Sequence, residues 1–149
     1  MHSDHDPWQT GLAAGDVLAV SAGGPRMLAE RQRDRLAALL EAASAAPVYR
    51  QRLAGWRGEG GLNGIAPIGK RELMRRFEAW VTDPALHLPE LQAFVADKAR
   101  IGEAFDGRFV VWESSGSSGV AGLFVQDARA MAVYDALEGL RRAPLNPLR

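Results

Sequence analysis

Apolar residues recur at helical spacing over the first two thirds of the chain, then give way to short unbroken apolar runs. Leu28, Gln32, Leu36, Leu39, Leu40 and Ala43 mark one face of a helix that begins near Arg26. Glu30, Arg31, Arg33, Asp34 and Glu41 fall mostly elsewhere on it. Pro47 ends it, because proline disfavours helix in the preceding residue and lacks a backbone donor. Val48–Trp56 has room for one or two further helical turns, and the run Gly58-Glu59-Gly60-Gly61 reads as a loop. A second clear stripe, Leu73, Met74, Phe77, Trp80 and Val81, predicts one helix over residues 70–81, with Gly69 as N-cap and Glu72 in its first turn.

Two short helices are expected next, over residues 89–96 and 98–105. Leu91, Phe94 and Val95 face inward in the first, Ile101 and Phe105 in the second. Asp106-Gly107 is a turn signal. Phe109-Val110-Val111-Trp112 and Leu123-Phe124-Val125 are runs of β-forming residues, and the first suits a strand covered on both faces. Asp127 stands where an N-cap belongs for a helix over residues 128–142, with Met131, Tyr134, Leu137 and Leu140 inward. Gly139 weakens that helix by about 1 kcal/mol relative to alanine. Residues 1–25 carry little pattern and close on Gly23-Gly24-Pro25, which predicts an extended or partly ordered arm. The expected fold is therefore α/β. A weakly ordered arm over 1–25 precedes a domain over 26–149, which is helix-rich at first and then forms a β-hairpin followed by a helix.

Between the two apolar runs lies Ser114-Ser115-Gly116-Ser117-Ser118-Gly119-Val120-Ala121-Gly122. Glycine lets the backbone reach positive φ and approach a ligand closely. Successive N–H groups then converge on an anion, and serine hydroxyls add rotatable donors in little space. The same composition makes flexible linkers, but a linker does not require two matched apolar strands around it.

The order Ser114-Ser115-Gly116-Ser117-Ser118-Gly119 resembles the Ser/Thr-Ser-Gly-Ser/Thr-Thr-Gly signature of the adenylate-forming (AMP-binding) superfamily. The stretch before Pro47-Val48-Tyr49-Arg50 is similar to the start of the phenylacetate–CoA ligase-like branch. So are Ile65-Ala66-Pro67 followed by Lys70-Arg71-Glu72-Leu73, and Leu123-Phe124-Val125-Gln126-Asp127 after the loop. The likeness covers roughly residues 26–142. It implies the N-terminal portion of an AMP-forming acyl ligase that activates a carboxylic acid with ATP and Mg2+ and passes the acyl group to coenzyme A or another acceptor. Ser114, Ser115, Gly116, Ser117, Ser118 and Gly119 would grip the ATP phosphates. Ser118 stands where the family has threonine, and Ala121-Gly122 where it has proline, often then lysine. The adenine pocket, the magnesium-binding acid and the mobile C-terminal domain of that family lie beyond residue 149, so the resemblance implies a fragment. No catalytic residue is assigned. The alternative is a non-enzymatic helical interaction module whose loop binds nothing.

Composition narrows the remaining classes. The chain has 149 residues, 47% hydrophobic and 24% charged, with a formal net charge of zero. That suits a globular domain and creates no global field for nucleic acid or an anionic membrane. The basic residues are nearly all arginine, interleaved with Asp and Glu, and Lys70 and Lys98 are the two lysines. Without cysteine there is no disulfide, thiolate zinc site or cysteine nucleophile. No apolar run approaches the roughly 20 residues that span a bilayer, and the start lacks a signal-peptide core, so a cytoplasmic location is expected. Walker, dinucleotide-binding and hydrolase-elbow motifs fail on their required residues. His2 and His5 with Asp4 and Asp6 read as a terminus rather than a metal site, His87 as structural, and Lys70 as a solvated first-turn residue. Arg108 and Arg129 flank the strands without being aimed at the loop. The open edges of two lone strands predict self-association.

Overall fold

The computed structural model describes residues 7–56, 61–116 and 119–142. It is helix-rich, with one small antiparallel sheet, and so is broadly α/β as expected. Helices α1 (Pro7–Ala22), α2 (Gly24–Ser44) and α3 (Pro47–Leu53) come first. They are followed by α4 (Lys70–Arg75), α5 (Phe77–Trp80) and α6 (Leu88–Ala96). Strands β1 (Val110–Glu113) and β2 (Leu123–Gln126) precede α7 (Ala128–Arg142). Among the described residues no helix is long and apolar enough to cross a membrane.

The chain forms two compact units. One contains Met1–Arg31, Arg100–Val111 and Val125–Arg149; the other contains Gln32–Ala99 and Trp112–Phe124. In the first unit α1 packs on α7. A helix over 7–22 corrects the expectation of an extended arm there. Gly11 and Gly15 each cost helix propensity, and the apolar residues of α1 make no single stripe, so its sequence hides the helix. Packing on α7 supplies what propensity does not. Arg31, early in α2, reaches back to Asp16 of α1 with two hydrogen bonds of 2.7 and 3.2 Å.

Asp127 caps α7 as expected, its Oδ1 accepting the Ala130 N–H at 2.8 Å. The buried residues of α7 are Ala132 and Ala136, one turn apart, whereas Tyr134 and Leu137 of the expected inner face are exposed. Small side chains let two helices approach closely, which pushes the bulky neighbours to the flanks. The turn at Asp106-Gly107 also forms, both residues having positive φ, and it closes on the bridge between Phe105 and Phe109.

The second unit holds most of the core. Val48, Met74, Phe77, Leu86, Leu91, Phe94 and Leu123 are buried, with Phe77 and Leu91 fully so. The single helix expected over 70–81 is broken at Arg76, whose φ of −121° and ψ of 37° are not helical. The Arg76 N–H still bonds to the carbonyls of Glu72 and Leu73, so α4 ends without an orphaned donor there. The break turns Phe77 into the core, where it meets Trp80 edge-on at 5.4 Å between ring centroids. α5 packs on α3. The helix expected over 98–105 is reduced to a 3-10 turn at Lys98–Arg100, and Ile101, expected inward, is 82% exposed. Gly102 at a φ of 85° stops any continuation.

β1 is not covered on both faces as its composition predicted: Val110 and Val111 are half-buried, while Trp112 and Glu113 are exposed. Ser114 donates its N–H to the Gly122 carbonyl at 2.9 Å, directly beyond the two strands. With four residues in each strand, this register sets Trp112 opposite Phe124 and Glu113 opposite Leu123. The Leu123 N–H then points away from β1. It donates to Met74 Sδ at 3.4 Å, so α4 covers part of the outer edge of β2.

Candidate phosphate-binding loop

The loop between β1 and β2 belongs to the second unit. Gly119 donates its N–H to the Gly116 carbonyl at 2.7 Å. Gly116 has a φ of 65° and Gly119 one of 82°, a region that side chains with a Cβ rarely occupy. Ser117 and Ser118, the two central residues of the expected phosphate grip, lie outside the described residues. Ser115 is exposed and Ser114 half-buried.

Ser114 is the residue on which the base of the loop is organised. Its backbone N–H pairs with Gly122, and its Oγ accepts the Gly122 N–H at 2.8 Å. The same Oγ accepts a hydrogen bond from Lys70 Nζ at 3.2 Å. Both acceptor positions of the hydroxyl are then engaged from within the protein, which leaves its own proton to donate outward.

This placement corrects the reading of Lys70 as a solvated first-turn residue. Lys70 is the first residue of α4, half-buried, and its side chain lies over the loop base. Gly122 makes room for it: a Cβ at that position would sit 2.8 Å from Lys70 Cδ and 3.2 Å from Phe124 Cε2. Gly122 is itself buried under this pair of side chains.

The approach of Lys70 is set further back. Arg52 of α3 donates to the carbonyls of Ala66 at 2.6 Å and Pro67 at 3.2 Å, and so holds the segment leading into the Gly69 N-cap. The neighbouring carboxylate, Glu72, lies 3.5 Å from Arg52 and 3.8 Å from Arg76. Among the described residues Lys70 forms no ion pair with a carboxylate. An ammonium group with three donors, one of them on Ser114, therefore carries charge that a bound anion would neutralise.

The Arg108 guanidinium lies over the ring of Phe109 at 4.6 Å and 3.9 Å from Asp106, in its own turn. His87 occupies the N-cap position of α6 without a side-chain capping bond. His2, Asp4, His5 and Asp6 lie outside the described residues. Among the described residues no group of three or more His, Asp or Glu side chains could hold a metal ion.

Sequence reasoning found the loop and missed Lys70. The available signal was its rarity: one of two lysines in an arginine-rich chain, directly after a glycine N-cap. Chemically the corner offers one cation, one hydroxyl proton and the N–H groups of a glycine-rich turn. Such a set is chemically suited to an oxyanion. No protein-family model, curated protein or solved structure matches the chain.

Proposed function

We propose that Ser114–Gly122 and Lys70 form the phosphate-binding corner of an AMP-forming acyl ligase of the phenylacetate–CoA ligase-like type, and that this chain supplies the N-terminal, loop-bearing portion of such an enzyme. One observation carries the reading: a lysine without a carboxylate partner among the described residues donates to the first serine of a Ser/Gly loop. It provides the cation that the loop lacks where the family often has lysine after the final glycine. Charge-assisted hydrogen bonds of this kind contribute roughly 1.5–3 kcal/mol each.

The role of these residues is to bind and to orient. Lys70 and Ser114 would fix one phosphate group at the base of the loop, and the N–H groups of the turn would hold those beyond it. Magnesium would arrive on the nucleotide, since no described cluster of side chains fits a metal held by the protein. The nucleotide would activate a carboxylic acid, with coenzyme A or another acceptor taking the acyl group.

Hydrogen exchange tests the reading. Millimolar ATP with magnesium should slow exchange at the amides of residues 114–116 and 119–123. Unchanged exchange there would favour the second reading, a non-enzymatic helical module. That reading draws on the exposed apolar side chains of α1, Trp8, Leu12 and Leu18.

A further inference from the structure

Lys70 reaches Ser114 from a helix too short to hold its own direction. α4 has six residues, and an isolated helix of fewer than roughly 12–15 is marginal in water. Residues 66–69, which lead into it, form no regular secondary structure, and Gly69 at the N-cap has no side chain to fix the turn. The angle at which α4 meets the loop is therefore set by ties to other elements. Near its end, Met74 supplies one by accepting the Leu123 N–H. Arg52 supplies another at its start.

α3, which carries Arg52, is a firm base. Val48, one turn earlier, is fully buried, and the helix packs on α5. From there the Arg52 side chain, 20% exposed, grips the chain on both sides of Lys70. Its Nη1 donates to the carbonyls of Ala66 and Pro67, which precede Lys70. Its Nη2 lies 3.5 Å from Oε1 of Glu72, which follows Lys70. A guanidinium is a rigid planar fork, so fixing both ends of it fixes the path of the backbone between them. The same contacts leave Arg52 little to offer an anion. Nη1 is spent on two carbonyls, and Nη2 faces a carboxylate that an anion would have to displace. All of these residues belong to the second unit.

We infer that Arg52 is a positioning residue for phosphate binding: by gripping residues 66, 67 and 72 it keeps Lys70 Nζ on Ser114 Oγ, and it does so without touching the anion. The inference rests on the phosphate-binding reading above and adds the part of the chain that forms the corner before the ligand arrives. Preorganisation of this kind raises affinity by removing the cost of ordering a side chain on binding. Lysine cannot take the place of Arg52. It keeps the charge opposite Glu72, but a single ammonium group does not span from that carboxylate to the two carbonyls.

The test is a double-mutant cycle, read by calorimetric titration of inorganic triphosphate into the native chain, Arg52→Lys, Lys70→Met and the double variant. Arg52→Lys should weaken binding about three- to tenfold where Lys70 is present and leave it unchanged in the Lys70→Met background. Arg52→Gln, too short for either end of the grip, should lose at least as much with Lys70 present. Urea denaturation checks that each variant is folded under the titration conditions. Equal losses with and without Lys70 would overturn the positioning role, because an arginine that binds the anion itself, or only stabilises the fold, acts in both backgrounds. Undiminished binding in Arg52→Lys would overturn it too, whatever Arg52→Gln does, and leave the phosphate corner standing. Failure of the native chain to bind triphosphate, or binding as strong in Lys70→Met, would overturn the corner itself and the positioning role with it.

Discussion

Lys70 Nζ and Ser114 Oγ, 44 residues apart in sequence, lie 3.2 Å apart and join the first turn of α4 to the base of the β1–β2 loop. The hydroxyl also accepts the Gly122 N–H, so one side-chain oxygen ties a helix to both ends of a hairpin loop. This three-way junction positions one of the chain's two lysines. Ser114 and Gly122 therefore have separate and measurable roles in it.

Ser114→Ala removes both bonds to Oγ and leaves the N–H of the buried Gly122 without a partner. A buried donor left unsatisfied costs about 1–3 kcal/mol. Urea denaturation should show a loss of that size, and Ser114→Thr, which keeps the hydroxyl, should recover most of it. Equal stability of native and alanine forms would show that the hydroxyl does not organise the loop.

Gly122→Ala tests the space rather than the hydrogen bonds. The new methyl group would lie 2.8 Å from Lys70 Cδ, and the flexible lysine stem would have to move aside. The melting temperature should fall by only a few degrees, on the scale of about 1 kcal/mol, while affinity for inorganic triphosphate falls several-fold. Undiminished affinity would mean that the close approach of Lys70 over Gly122 has no part in binding.

Glu78 links stability to pH elsewhere in the second unit. Hydrogen bonds from its own backbone N–H and from the Leu88 N–H, together with the charge of His87, hold its carboxyl below the ordinary value of 4.5, against a smaller opposing effect of burial. A carboxyl whose folded value is depressed stabilises the fold above the unfolded value and loses that contribution as pH falls through the folded one. Melting temperature should therefore decline from about pH 4.5 downward, and Glu78→Gln should flatten the decline. A slope unchanged in the glutamine variant would assign the acid sensitivity to other groups.

The sequence made legible those elements whose ends carry a local chemical signal. Pro47 follows the end of α2 and begins α3, Gly69 caps α4, and Asp127 caps α7 through the Ala130 N–H. The turn at Asp106-Gly107 and the two strands were readable for the same reason. What was not readable depends on partners distant in sequence. The break at Arg76 has no proline or glycine to announce it and serves the burial of Phe77. α1 is secured by packing on α7 rather than by its own propensity, and the small Ala132 and Ala136 displace Tyr134 and Leu137 from the buried face of α7.

The candidate site divides in the same way. Its serines and glycines form a continuous motif, visible in one pass along the chain. Its cation comes from another element, and the glycine that admits the lysine stem, Gly122, lies after the motif has ended. A charged residue without patterned neighbours reads as solvated until the fold shows what stands beside it.

Calorimetric titration of inorganic triphosphate into the native chain and into Lys70→Met tests the phosphate-binding corner most directly. Methionine keeps an unbranched stem over Gly122 and removes the charge. The account predicts saturable binding to the native chain and an affinity lower by about ten- to a hundredfold in the variant, the equivalent of one charge-assisted hydrogen bond. Binding of equal strength to both proteins, or to neither, would contradict it.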